Sequence, residues 1–185
     1  MTRACRAAFA TLAVALVVLF PVAPSHAQSV DPIVWVDKRV SLQGRRVSVV
    51  QPVVNQSKFE IPQEALAEIR QALESALSEK GLLVDKSVAA PSPQALQALQ
   101  VQAAVLWLKR GDPVAQWIGL GLGAATCTIR VQLLDPSSMR YVADMVQSRV
   151  VDGGGILTLG VANSMHRDIA AELAEVIATL LKGGG

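Results

Sequence analysis

The sequence predicts an α/β (α+β) two-layer sandwich: a mixed sheet with two long helices on one face and a C-terminal antiparallel hairpin. Three observations carry that reading. Thr126 to Leu134 alternates cleanly, with Cys127, Ile129, Val131 and Leu133 on one side and Thr126, Thr128, Arg130 and Gln132 on the other, the period of two of a half-buried strand. Residues 62–80 and 163–182 carry apolar side chains at helical spacing. Asp135-Pro136-Ser137-Ser138 is a turn signal, and the chain returns through Arg140 to Val151 with Val142, Val146 and Val150 spaced by Asp144 and Ser148.

A targeting segment precedes this domain. Arg3 and Arg6 open it, Ala7 to Phe20 is an uncharged apolar core, and Ser25-His26-Ala27 is a small-x-small site before Gln28. A core this short suits a cleaved signal peptide rather than a membrane span, and Pro21 and Pro24 interrupt its tail. Residues 1–27 are therefore expected to be a leader cleaved after Ala27, 28–182 a single domain and 183–185 a flexible glycine tail. Cys5 precedes the apolar core, so it cannot carry a lipid after cleavage. A soluble protein of the periplasm or exterior, with no stable membrane anchor after cleavage, is the expectation.

Removing 27 of 185 residues leaves 158, enough to bury one core. Of 17 Lys and Arg, two leave with the leader, and the 15 that remain meet 15 Asp and Glu. The mature net charge is zero, which removes any electrostatic argument for a nucleic-acid partner. Cys127 is the sole mature cysteine; it lies on the apolar side of its strand and reads as a small core residue.

Taken in order, Ile33-Val34-Trp35-Val36 is an edge strand or an ordered arm. Lys38, Arg39, Arg45 and Arg46 surround a turn at Gly44 and read as a solvated basic loop. Arg46 to Asn55 reads as a strand in which Pro52 removes one ladder donor and marks an end or an edge. The helix from Pro62 to Lys80 turns Leu66, Ile69, Leu73, Ala76 and Leu77 inward, with Pro62 in its first turn and Gly81 as its stop. Leu82 to Val84 is a short strand entry. Ser92-Pro93 starts a second, shorter helix with Leu96 and Leu99 inward. Val101 to Lys109, apolar through its centre, suits a strand covered on both faces. The last helix, Asn163 to Lys182, carries a stripe of Met165, Ile169, Leu173, Val176, Ile177 and Leu180.

Few residues point to chemistry. Gly119, Gly121 and Ala124 formally fit G-x-G-x-x-G/A, but a strand follows where phosphate binding needs a helix N-terminus; a close backbone approach or a loop without anchoring side chains fits better. His166 is the sole mature histidine and has no second His or Cys at ligand spacing; it reads as a helix-surface residue. Neither a G-x-S-x-G elbow nor H-E-x-x-H occurs. Glu64, Glu68, Glu74, Glu172 and Glu175 lie on polar helix faces and read as solvated. Neither a cofactor nor a metal is expected.

Three stretches carry a resemblance, the third being the closing helix from Asn163 to Lys182. Arg46 to Ser57, followed by an amphipathic helix and Gly81-Leu82-Leu83-Val84, resembles the opening of a bacterial envelope α/β module. That module is found in the Tol translocation protein N-terminal domain, the curli secretion lipoprotein and lipoprotein activators of penicillin-binding proteins. Trp117 to Ala124, leading into Val131 to Asp135, is more similar to an uncharacterised family of exported bacterial proteins, the domain of unknown function 4410, many of them lipoproteins; the closing helix fits as well. The resemblance implies the two-layer fold and a non-enzymatic, partner-binding habit, and it carries no catalytic residues. The chain departs from it in lacking a lipobox cysteine and in having Pro136 where a glycine is usual.

The expected function is a periplasmic, non-enzymatic module that binds a cell-envelope protein or assembly. The candidate contact residues are Trp117, Gly119, Gly121 and Gly123, with Arg130 and Gln132 beside them. Two alternatives stay open: a small-ligand or lipid carrier or hydrolase with a pocket under the glycine loop, using His166 or Asp168, and a subunit that self-associates into a homo-oligomer through the wet sheet face or an edge.

Overall fold

The computed structural model describes residues 27–84, 98–109, 124–151 and 159–183. In chain order they form β1 (Ala27–Ser29), β2 (Ile33–Val36), β3 (Val47–Val50), β4 (Val54–Asn55), α1 (Gln63–Glu79), β5 (Leu99–Lys109), β6 (Ala125–Asp135), β7 (Arg140–Val151) and α2 (Leu159–Lys182). Among the described residues seven strands make one sheet. β1 and β2 lie in line along one side of β7, each antiparallel to it. β7, β6 and β5 follow as antiparallel neighbours, and β3 and β4 run parallel to β5 at the far edge. The mixed sheet, the two long helices and the β6–β7 hairpin are those the sequence predicts.

The core lies between one face of the sheet and the two helices. Cys127, Ile129, Val131 and Leu133 of β6 are all fully buried, in one cluster with Leu66, Ile69, Leu73 and Leu77 of α1 and Met165, Ile169, Leu173 and Ile177 of α2. Each large aliphatic side chain buried here contributes about 1.5–3 kcal/mol. α2 presents a wider apolar face than its large residues alone suggest: Ala170, Ala174, Ala178 and Leu181 are buried, whereas Val176 and Leu180 are half-buried. The alanines let the helix sit close to the sheet.

Local chemistry sets the ends of α1. Pro62 stands at its N-cap, and its carbonyl accepts from the Ala65 and Leu66 amides. At the other end Gly81 takes φ +67; its amide bonds to the Ser78 carbonyl at 2.9 Å and the Leu82 amide to the Leu77 carbonyl at 3.0 Å. This double closure needs a left-handed residue, which glycine adopts without strain, and it buries Leu77 and Leu82 together.

Several expectations are corrected. Leu99 opens β5 instead of facing inward from a short helix; its amide donates to the Arg46 carbonyl at 2.7 Å and it pairs with Val47 in full burial. The rest of that expected helix lies outside the described residues. β5 is not covered on both faces: Gln100 and Gln102 alternate with buried Val101 and Ala103, because both helices lie on one side. The strand expected over 46–55 is two short strands, and the break between them holds Pro52. Leu82–Val84 contributes a single bridge, Leu83 to Val47. α2 begins at Leu159, four residues earlier than periodicity places it.

The basic loop is not uniformly solvated. Arg45 is 12% exposed and pairs with Asp135, itself 10% exposed, at 3.2 Å. The Asp135 carboxylate also accepts from the Ser137 amide at 3.0 Å and its hydroxyl at 2.7 Å. The Gly44 amide donates to the Leu181 carbonyl at 2.8 Å. One loop thus ties the β6–β7 turn to the end of α2. The Arg45 guanidinium, followed by the Ser137 contacts, holds the Asp135 carboxyl well below the usual carboxylate range despite its burial.

A group depressed in the folded state stabilises fully above its unfolded pKa and loses that contribution as pH falls toward its folded value. Asp135→Asn keeps an oxygen for Ser137 but removes the charge facing Arg45. It should cost roughly 2–3 kcal/mol near neutral pH. The difference from wild type should shrink below about pH 4, as read from urea unfolding at the two pH values.

Candidate functional site

The face of the sheet opposite the helices carries no element of the described chain, and the strand register assigns its residues. Adjacent partners place Trp35 beside Asp144, Asp144 beside Gln132 and Gln132 beside Gln102. One step along the strands, the row runs Ile33, Val146, Arg130, Ala104 and Val54. A third pair, Thr128 and Ser148, joins hydroxyls at 2.9 Å. β6 sets this pattern: its even-numbered residues face out because its odd-numbered ones fill the core.

Charge on this face is paired internally. Arg130 Nε donates to both Asp144 oxygens at 2.9 and 3.1 Å, and its Nη2 also reaches Oδ2. Gln132 Nε2 donates to the same Oδ2 at 3.0 Å. The guanidinium holds the Asp144 carboxyl below its ordinary value, and the carboxylate in turn raises Arg130. Both side chains are partly exposed, at 37% and 23%, so the pair orients the face more than it stabilises the fold. Tyr141, 44% exposed, donates from its hydroxyl to Gln102 Oε1 at 2.9 Å. Near the far edge Phe59 and Trp107 meet edge to face with centroids 4.8 Å apart, and Lys58 sits over both rings.

β2 forms an edge of different character. Ile33, Val34 and Trp35 are 73%, 40% and 53% exposed, and no described strand pairs with the outer side of β2. An apolar edge strand with no charge and no proline is a template for pairing with another chain.

Of the residues picked out from sequence, Arg130 and Gln132 stand on this open face, joined through Asp144. Trp117, Gly119, Gly121 and Gly123 lie outside the described residues. His166 is not a simple surface residue. It is 17% exposed with Nε2 3.7 Å from Glu68, in a cavity of about 550 Å³ between the helices that Gln71 and Arg167 also line. Asp168 is paired with Arg149 at 2.7 Å. The helix carboxylates are more engaged than a solvated face implies: Glu172 accepts from buried Gln147 and Glu175 from Lys80. Cys127 is fully buried as expected, and burial pushes its thiol up to about 12. Among the described residues no three His, Cys, Asp or Glu side chains converge as a metal ion requires. Gln51, Gln100 and Gln102 were not singled out from sequence, although Gln100 and Gln102 already alternate with apolar neighbours.

The model of the family described as Domain of unknown function (DUF4410) matches residues 34–155. The chain belongs to that family. The match runs from β2 through β7 and includes α1, with α2 beyond it. No curated protein matches the chain. Among solved structures it is similar to a PelC dodecamer from Paraburkholderia phytofirmans, at 15% identity over 80% of this chain and 98% of that one, with a TM-score of 0.49. It is also similar to protein XCC0632 from Xanthomonas campestris, of the family-model DUF330, at 18% identity over 76% and 87% and a TM-score of 0.49. At these TM-scores neither likeness carries a functional inference.

Burial holds the His166 imidazole below its ordinary 6.5, against the pull of the Glu68 carboxylate. The unfolded chain then binds more protons than the folded one as pH falls below 6.5, so this residue makes stability drop with acidification. His166→Gln should lose less stability than wild type between about pH 7.5 and about pH 5.5, measured by urea midpoints. Equal losses would contradict the burial assigned to the ring.

Proposed function

We propose that this family member is an exported, non-enzymatic binding module that docks on a cell-envelope protein or assembly through β2. The observation that carries the reading is the edge itself: Ile33, Val34 and Trp35 expose apolar surface beside a stretch of backbone that no described strand pairs. A partner strand added there would gain main-chain hydrogen bonds for affinity and a tryptophan for specificity. The leader-like N-terminus supports export. The net-neutral mature chain and the internally paired charges of the open face favour apolar and hydrogen-bonded recognition over electrostatic capture. The same edge also favours a second reading, pairing of two copies of the chain through β2.

Trp35→Lys places a charge on the edge and, at an exposed position, should change stability by no more than about 0.5 kcal/mol. Crosslinking of purified protein in envelope fractions should then lose a partner that wild type captures. Sedimentation at rising concentration separates the two readings, since self-pairing shows as a dimer that Trp35→Lys abolishes. Equal capture by both proteins, with both monomeric, would refute a role for β2.

A further inference from the structure

A second feature of the open face lies two strands away from β2, in a cleft of about 350 Å³ at the junction of β6, β5 and the β3–β4 edge. Gln51, Gln56, Gln102, Gln132 and Arg130 line it, with Ala104 and Val54, partners across β5 and β4, as a small apolar patch. Such a concentration of neutral amides on a sheet face needs a reason, because each carries a donor and an acceptor that water would otherwise satisfy.

Three of these amides are anchored at one end and open at the other. Gln51 Nε2 donates to Gln100 Oε1 at 3.2 Å, which leaves the Gln51 oxygen as an acceptor. Gln102 Oε1 accepts from Tyr141, which leaves its NH₂ as a double donor. Gln132 Nε2 donates to Asp144, which leaves its oxygen as an acceptor. Among the described residues those open ends have no protein partner. Arg130 spends Nε and Nη2 on Asp144 and keeps Nη1 for the cleft. Because the anchoring bonds fix the side chains beforehand, little rotamer freedom is left to lose on binding.

Charge and the pattern of open groups narrow the ligand. The Arg130–Asp144 pair cancels, so nothing in the cleft calls for an anion or a cation. The open groups alternate acceptor, donor, acceptor from Gln132 on β6 through Gln102 on β5 to Gln51, just past the end of β3. Ring hydroxyls donate and accept at once, and ring C–H faces suit Ala104 and Val54. A peptide strand would pair with the main chain on the outer side of β4, not with side-chain amides on the sheet face.

We infer that this cleft binds a neutral saccharide, with two or three sugar rings laid across β6, β5 and the β3–β4 link and held by Gln132, Gln102, Gln51 and Arg130.

The test is titration of the purified mature chain with cellotriose, chitotriose, maltotriose and laminaritriose, with trigalacturonate as the acidic control. Amide chemical shifts and calorimetry are the readouts. At least one neutral trisaccharide should bind saturably and shift amides of β5 and β6. Gln102→Leu and Gln132→Leu should each weaken binding by about tenfold or more, with melting temperatures close to wild type. Absence of saturable binding by every neutral probe overturns the inference. So does preference for trigalacturonate, or shifts that map away from the cleft, or binding that both leucine variants retain.

Discussion

The alternation of β6 is the constraint on which the rest of the molecule depends. Cys127, Ile129, Val131 and Leu133 are buried without residue, so one face of the central strand belongs entirely to the helices. A slip of one residue would exchange that set for Thr128, Arg130 and Gln132 and bury a charge in the core. Register is therefore strongly fixed, and with it the identity of every residue on the opposite face. The open surface is a consequence of the packing of the covered one.

The elements that close the sandwich do so at its ends. Arg45 reaches across 90 positions to Asp135, and the neighbouring Gly44 amide caps the end of α2. Lys80 meets Glu175 and Glu68 faces His166 between the helices, so polar contacts tie α1 to α2 above an apolar interior. At the N-terminal side, β1 and β2 extend the sheet past β7. Ala27, the last residue of the expected leader, already pairs with Val151. The sheet thus ends in a short, apolar, exposed strand instead of a charged one, which is an arrangement that favours company.

What the sequence makes legible is what local periodicity encodes. The β6–β7 hairpin, the stop at Gly81, and the inner faces of both helices follow from spacing and turn chemistry within a few residues. β5 was harder, since Ala103 to Leu108 is an apolar run that masks the alternation of Gln100 and Gln102 around Val101. Leu99 had a helical setting by local signal and a strand by its bond to Arg46, and the long-range pairing won. Arg45 looked solvated for the same reason: its partner lies on the far side of the sequence. The glutamine cleft gathers residues from β4, β5, β6 and the link between β3 and β4 and has no contiguous motif at all. Arg130 and Gln132 were legible as wet-face residues, but not as parts of one network through Asp144.

The central claim, that among the described residues one face of the sheet is sealed and the other is not, has a direct chemical test. Cys127 and Ser148 belong to the adjacent pairs Cys127–Arg149 and Thr128–Ser148 and point to opposite faces. In a chain lacking Cys5 and carrying Ser148→Cys, a small thiol reagent in native buffer should modify position 148 promptly. Cys127, buried and with its thiol pushed up to about 12, should react only after unfolding in urea. Protection of both positions in the dilute folded chain, or equal modification of both, would contradict the account.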